Sequence, residues 1–201
     1  SLILEVGQWV LRTAMTQCAT WRSRFGERSP AVAVNISPRQ FAEDDFVERV
    51  ADLLVETGAE ATDLCFEITE SVLMDDVDLT LATLGRLKSL GLQLAVDDFG
   101  TGYSSLSYLR RFPVDILKVD QSFVSGLGHD PEDSAIVQAV VHMGRALRLT
   151  TVAEGVETGH HLIELRELDC DVAQGYHFAR PRPADAIDEM LAAGPDWLTV
   201  V

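Results

Sequence analysis

The sequence predicts an α/β protein whose parallel strands gather into a (β/α)8-type barrel, and three observations predict it. Short apolar runs of strand length alternate with segments of helical period from one end of the chain to the other. The predicted strands close on polar or charged residues. The composition is that of a folded domain: 201 residues, 47% hydrophobic and 24% charged. Alternating β and α segments build a parallel sheet covered by helices. An open doubly wound sheet collects ligand groups from a few strands at one switch point. A barrel collects them from the C-terminal ends of most of its strands, and this sequence does the latter.

The elements follow in order. Residues 2 to 22 place Ile3, Val6, Val10, Ala14 and Trp21 at helical spacing. Residues 31 to 35 are short and β-branched and read as a buried strand. Ser37-Pro38 supplies an N-cap and a proline at the first helical position. The helix it starts carries Phe41, Phe46, Val50, Leu53 and Leu54 and stops at Gly58. Residues 64 to 68 form a second strand. Leu81, Leu84, Leu87 and Leu90 mark a helix ending at Gly91. Strands over 92 to 96 and 115 to 119 come next, then a helix over 134 to 148. A strand over 150 to 153, a helix over 158 to 168, a strand over 170 to 173 and a helix over 184 to 193 complete the series.

Charge narrows the function. Lys and Arg number 16 against 32 Asp and Glu, for a net charge of -16. That sign opposes unspecific binding to DNA, RNA or an anionic membrane. A phosphate-bearing ligand stays open, because bound divalent cations reverse the local sign. Three scattered cysteines without a CxxC argue against a disulfide framework or a zinc site and for a reducing, cytoplasmic setting. No apolar stretch reaches transmembrane length.

Asn35 ends the first strand, Glu67 the second and Asp97-Asp98 the third. Lys118 and Asp120 lie at the end of the fourth, Glu154 at the fifth and Gln174 at the sixth. Singly, each reads as a helix cap, a turn residue or a solvated loop side chain. Lys118 alone also fits a Schiff-base lysine, although an acidic bowl is a poor place to depress an amine. Together they put several carboxylates, one lysine and two amides at one mouth. Such carboxylates repel or hold protons unless cations compensate them. Two oxygen-ligated divalent ions about 3.5–4 Å apart would do so and suit in-line attack on a phosphodiester.

Six segments in order then resemble a known family. Val34-Asn-Ile-Ser37, Glu67-Ile-Thr-Glu70, Asp97-Asp-Phe-Gly-Thr-Gly-Tyr-Ser104, Leu117-Lys-Val-Asp120, Ala153-Glu-Gly-Val-Glu157 and Gln174-Gly-Tyr-His-Phe-Ala-Arg-Pro181 resemble the EAL-domain cyclic-di-GMP phosphodiesterases. The resemblance implies a TIM-like barrel that uses Mg²⁺ or Mn²⁺ at a two-metal site to hydrolyse cyclic di-GMP to linear pGpG. By its pattern Asn35, Glu67 and Asp97 ligate one metal, and Asp98 and Glu154 hold the second beside Asp97. Lys118 and Gln174 orient the attacking water and its neighbours. Glu70 braces the loop from Phe99 to Ser105, which links metal binding, substrate and a homodimer contact. Asp120 and Glu157 lie on the substrate side.

The chain departs from the family pattern in one respect. The Glu-Ala-Leu strand, with its metal-ligating Glu, is expected upstream of Ser1, so this single domain over 1–201 carries six of eight strands. Upstream GGDEF or sensory domains, with any membrane anchor, are expected in the parent protein. A catalytically inactive cyclic-di-GMP receptor or partner-binding module is the alternative function. An unrelated metal-dependent aldolase or sugar-phosphate barrel is the third. His129, His142, His160 and His161 read as surface residues, while His177 stands near the pocket. Trp9 and Trp21 read as core or interface, Arg110-Arg111 as a solvated helix end, and Tyr108 and Leu109 as part of a dimer surface.

Overall fold

Strands that are buried on both faces need apolar side chains at nearly every position, and the central strands of this protein have them. The computed structural model describes residues 2–101 and 106–193. Its sheet consists of β1 (Val32–Asn35), β2 (Leu64–Thr69), β3 (Gln93–Phe99), β4 (Ile116–Val119), β5 (Thr150–Ala153) and β6 (Val172–Ala173). All pairings are parallel and neighbours follow chain order, β1-β2-β3-β4-β5-β6. This is part of a TIM-like (β/α)8 barrel, with β1 and β6 at the edges of the sheet among the described residues. Leu64, Phe66, Leu94 and Leu117 are fully buried between the sheet and its helices.

The helices are α1 (Leu2–Phe25), α2 (Pro38–Phe41), α3 (Phe46–Thr57), α4 (Glu70–Asp75), α5 (Val77–Ser89), α6 (Leu106–Leu109), α7 (Gln121–Val124), α8 (Pro131–Leu147), α9 (Gly159–Glu167) and α10 (Ala184–Ala193). Their ends are written in the sequence. Asp130 caps α8 ahead of a first-turn proline, Thr158 caps α9, and Ser37 and Gln40 form a capping box on α2. Gly58 takes φ +69° and closes α3 in the left-handed conformation that a side chain resists. Helix α1 buries Gly7, Leu11, Met15, Cys18 and Trp21 along one stripe. Trp21 donates its indole N–H to Asp188 of α10 at 2.6 Å, and Arg24 pairs with the same carboxylate.

Several expectations need correction. The single helix expected from Ser37 to Gly58 is two, because the chain leaves helical geometry over Ala42–Asp45 and Phe46 N–H bonds back to Glu43. Phe41 and Phe46, on either side of the break, are both buried, with ring centroids 6.4 Å apart. Helices α4, α6 and α7 were not foreseen, each being too short for a periodicity signal. Strand β3 runs on through Asp97 and Asp98 to Phe99, with a register irregularity between Val96 and Phe99 and φ +53° at Asp98. Leu109 is buried and belongs to the core, whereas Tyr108 is exposed. Trp21 is buried and Trp9 lies 65% exposed. The loop expected over 99–105 falls partly outside the described residues, from 102 to 105.

Candidate active site

Parallel strands held in register present their C-terminal ends at one side, so residues far apart in sequence meet there. Asn35 pairs with Glu67 across β1 and β2, and Thr69 with Asp97 across β2 and β3. Glu154 N–H reaches back to Val119 O at 3.1 Å, and Gln174 N–H to Ala153 O at 2.8 Å. These backbone bonds continue the ladder past β5 and β6 and fix where both side chains start.

Lys118 stands at the centre. Its Nζ lies 2.6 Å from Glu67 Oε1, 2.7 Å from Glu154 Oε1 and 2.9 Å from Asp97 Oδ1. Lys118, Glu67 and Asp97 are buried. A buried ammonium is costly unless paired, and here three carboxylates surround it. Burial alone would pull Lys118 down; its bonds to the carboxylates, Glu154 foremost, outweigh that and hold it above its ordinary value. It is a fixed positive charge at neutral pH.

The carboxylates around it behave differently. Burial raises Glu154, and Lys118 opposes that rise without cancelling it. Asp98 is also raised, first by burial and then by the charges of Asp97 and Asp120. For Asp120 burial acts upward, yet bonds from Ser122 Oγ and N–H and from Asp98 prevail and lower it. Asp98 thus holds a proton toward Asp120 more readily than a free carboxyl would. Glu70, also buried, accepts the Gly100 N–H at 3.1 Å and ties the start of α4 to the end of β3.

The residues fit divalent cations. Asp97, Asp98 and Glu154 offer carboxylate oxygens that all lie within 4.8 Å of one another. Asp97 Oδ1 is buried, and among the described residues its partner is the Lys118 ammonium. An all-oxygen donor set of this kind suits hard ions such as Mg²⁺ and Mn²⁺. Glu67 is engaged by Lys118, and Asn35 stands exposed at the end of β1 beside it.

Two cavities open next to this cluster. One of about 290 Å³ is lined by Gln121, Glu154, Gly155, Glu157, Gln174, Gly175 and Tyr176. Gly175 lets the chain pass close to the Val156 backbone, which a Cβ there would overlap. The second, of about 350 Å³, shares Gln121, Gly155 and Glu157 and adds Asp120, Ser122, Ser125 and His161. His161 is buried, which corrects the expectation of a surface residue. Its signal was present: an N-cap at Thr158 places residue 161 in the first turn of α9, facing the strand ends. His129, His142 and His160 are exposed. His177 packs edge-on against Phe178 and lines neither cavity.

The geometry has close counterparts among known proteins. A family model described as EAL domain matches residues 1–181. The bifunctional diguanylate cyclase/cyclic di-GMP phosphodiesterase MucR of Pseudomonas aeruginosa is 43% identical over 92% of this chain and 27% of its own. The solved structure of the PaMucR phosphodiesterase in complex with c-di-GMP superposes with a TM-score of 0.89 at 43% identity, over 92% of this chain and 75% of that one. The manganese/cy-diGMP complex of Klebsiella pneumoniae BlrP1 gives a TM-score of 0.79 at 31% identity, over 89% and 45% of the two chains. The chain spans about a quarter of the length of the curated relatives it matches.

Proposed function

The chain belongs to the EAL domain family, and on that premise we propose that residues 1–201, as one domain, carry a divalent-metal-dependent phosphodiesterase that opens cyclic di-GMP to linear pGpG. The observation that carries this reading is the convergence of Glu67, Asp97 and Glu154 on buried Lys118, with Asp98 alongside. The c-di-GMP complex of PaMucR and the manganese complex of BlrP1 support the substrate and the class of metal.

In this reading Asp97, Asp98 and Glu154 hold the metal pair together with Glu67 and Asn35. Bound there, two divalent ions supply an activated water and neutralise charge developing on the phosphoryl oxygens. The protein's own groups do the rest. Lys118 adds a positive charge that needs no proton from solvent and faces the same centre. Gln174, in the cavity beside Glu154, orients water with its amide. Asp120 and Glu157 line the rim where the remainder of the dinucleotide lies. Glu70 fixes the β3 end through Gly100 and so holds Asp97 and Asp98 in place. Overall, the water oxygen bonds to phosphorus, the bond from phosphorus to one ribose oxygen breaks, and a proton passes to that leaving oxygen.

The net charge of -16 is reconciled with an anionic substrate by the ions. The expected homodimer and upstream domains belong to the same proposal. Among the described residues no helix is long and apolar enough to cross a membrane.

The test is chromatography of cyclic di-GMP incubated with the full-length protein and Mg²⁺ or Mn²⁺. Conversion to pGpG that stops on chelation, and in Glu154→Gln, supports the reading. Tight binding without conversion makes the protein a receptor, and neither binding nor conversion sinks the proposal.

A further inference from the structure

Away from the strand ends, three side chains with metal-binding chemistry stand together: His129, His160 and Glu164. His129 lies in the turn between α7 and α8, and His160 and Glu164 are four residues apart on α9. That spacing puts both on one face of the helix. His160 Nε2 is 3.9 Å from Glu164 Oε1, and the ring centroids of His129 and His160 are 5.0 Å apart. Two imidazoles bound to one tetrahedral ion hold their centroids about 5 Å apart. Gly128 completes the arrangement. It takes φ +80°, and a Cβ there would stand 2.4 Å from His160 Nε2 and 3.2 Å from Glu164 Cδ. The turn backbone thus lies directly against both groups, and its next residue is His129.

The backbone that carries these groups is held on both sides. His129 N–H bonds to Gly126 O at 3.0 Å, Gly128 N–H bonds to Ser134 Oγ at 3.1 Å, and Thr158 caps α9. His129 and His160 are exposed and Glu164 is half-buried, so an ion can reach all three. Asp97, Asp98 and Glu154 already bring their oxygens within 4.8 Å of one another, whereas the donors of these three residues do not all stand so close. Closing them on an ion takes a rotamer change of His129, a fast motion for an exposed side chain. The donor set also differs from that of the strand ends. Two imidazole nitrogens and one carboxylate suit a borderline ion such as Zn²⁺, whereas an all-oxygen cluster suits Mg²⁺ and Mn²⁺. A plain ion pair of protonated His160 with Glu164 would make no use of His129.

We propose that His129, His160 and Glu164 form a second metal site, for a borderline divalent transition metal such as Zn²⁺, with water in the fourth position. The ion ties the segment that leaves β4 to the one that leaves β5. The proposal is independent of the phosphodiester reading, since none of the three residues takes part in it. The measurement is calorimetric titration of Zn²⁺ into the full-length, tag-free protein in excess Mg²⁺, with Co²⁺ absorption as a spectroscopic readout.

The wild type should bind one equivalent of Zn²⁺ that His160→Ala lacks. His129→Ala and Glu164→Gln should each weaken that equivalent by about tenfold or more, since even a partner behind a ligand is worth that much. His142→Ala, which removes an exposed histidine of α8, should change nothing. Co²⁺ should show the intense visible bands of four-coordinate ligation in the wild type and lose them in His160→Ala, because six-coordinate oxygen ligation is pale. The proposal fails if His160→Ala binds Zn²⁺ with the stoichiometry and affinity of the wild type. It fails also if the equivalent is lost in Asp97→Asn and kept in His160→Ala, which would put the ion at the strand ends. A loss in His160→Ala alone, with His129→Ala and Glu164→Gln unaffected, reduces the site to one histidine and overturns it. Should His160→Ala not fold, His160→Gln reads the same loss.

Discussion

The centre of the sheet and its last strand are made by the same β-α grammar, yet they differ in how firmly they are held. Strand β2 is buried at five of six positions, and Leu94 and Leu117 on β3 and β4 are fully enclosed. Strand β6 is two residues long, pairs on one side among the described residues, and leaves Val172 47% exposed. The central strands have two neighbours and helices over them; β6 has one neighbour and a wide cavity beyond it, lined by Ala173 to Ile187. The stability of a parallel strand comes from what covers both its edges and both its faces. Glu67, Asp97 and Lys118 sit on the firm part, and the residues that line its mouth, Gln174 and Tyr176, sit on the loose one.

The strongest way to break this contrast is Lys118→Met. Removing the ammonium leaves Glu67, Asp97 and Glu154 buried without a counter-charge, which should cost about 3–5 kcal/mol and is read by urea unfolding. Adding Mg²⁺ should recover part of that loss, because ions bound to the native state replace the missing charge. Leu94→Ala, an apolar deletion in the same region, should cost about 2–5 kcal/mol. If Leu94→Ala proved as harmless as a change on β6, the central sheet would not be the stable body described above.

Smaller effects sharpen the comparison. Glu70→Ala removes the acceptor of the Gly100 N–H and should cost about 1–3 kcal/mol through a lost hydrogen bond to a carboxylate, with Glu70→Gln retaining most of the stability. Val172→Ala on β6 should change unfolding by less than about 1 kcal/mol, since half its side chain is already in water.

Alkaline titration separates the charge from the packing. Lys118 has its folded value raised above 10.5, so the stability it provides is complete below that pH. It is lost as pH rises through the folded value. A urea midpoint that falls above that pH in the wild type, with no such fall in Lys118→Met, would assign the step to this lysine. An equal alkaline loss in both would assign it elsewhere.

Much of this architecture was legible before the fold. Ser37-Pro38 announced a helix start and Gly58 a stop, because capping is a local matter of one side chain and a few backbone N–H groups. Strand β5 and helix α10 took the bounds their patterns implied. What failed was shorter than the signal or set from outside. Helices α4, α6 and α7 span one turn or little more, and the break at Ala42–Asp45 depends on where Phe41 and Phe46 must pack on the core. The positive φ of Asp98 and the register irregularity beside it fall where β3 pairs with β4, a partner remote along the chain.

For the candidate site, the residue types and their placement at strand ends were readable along the chain, since a strand's end is marked by where its apolar run stops. That Lys118 bonds Glu67, Asp97 and Glu154 together was not readable, because no spacing says which three of five carboxylates an ammonium will choose. His161 shows the same division. Its sequence neighbours are an exposed histidine and the half-buried Leu162, and only the packing of α9 against the strand ends encloses it. The sequence by itself determined the order of elements, their caps and the chemical types available at the strand ends, all of which depend on local periodicity and local hydrogen bonding. Tertiary structure alone decided burial, pairing and proton affinity, because desolvation and charge interaction depend on distance in space, which the sheet sets between residues that are remote along the chain.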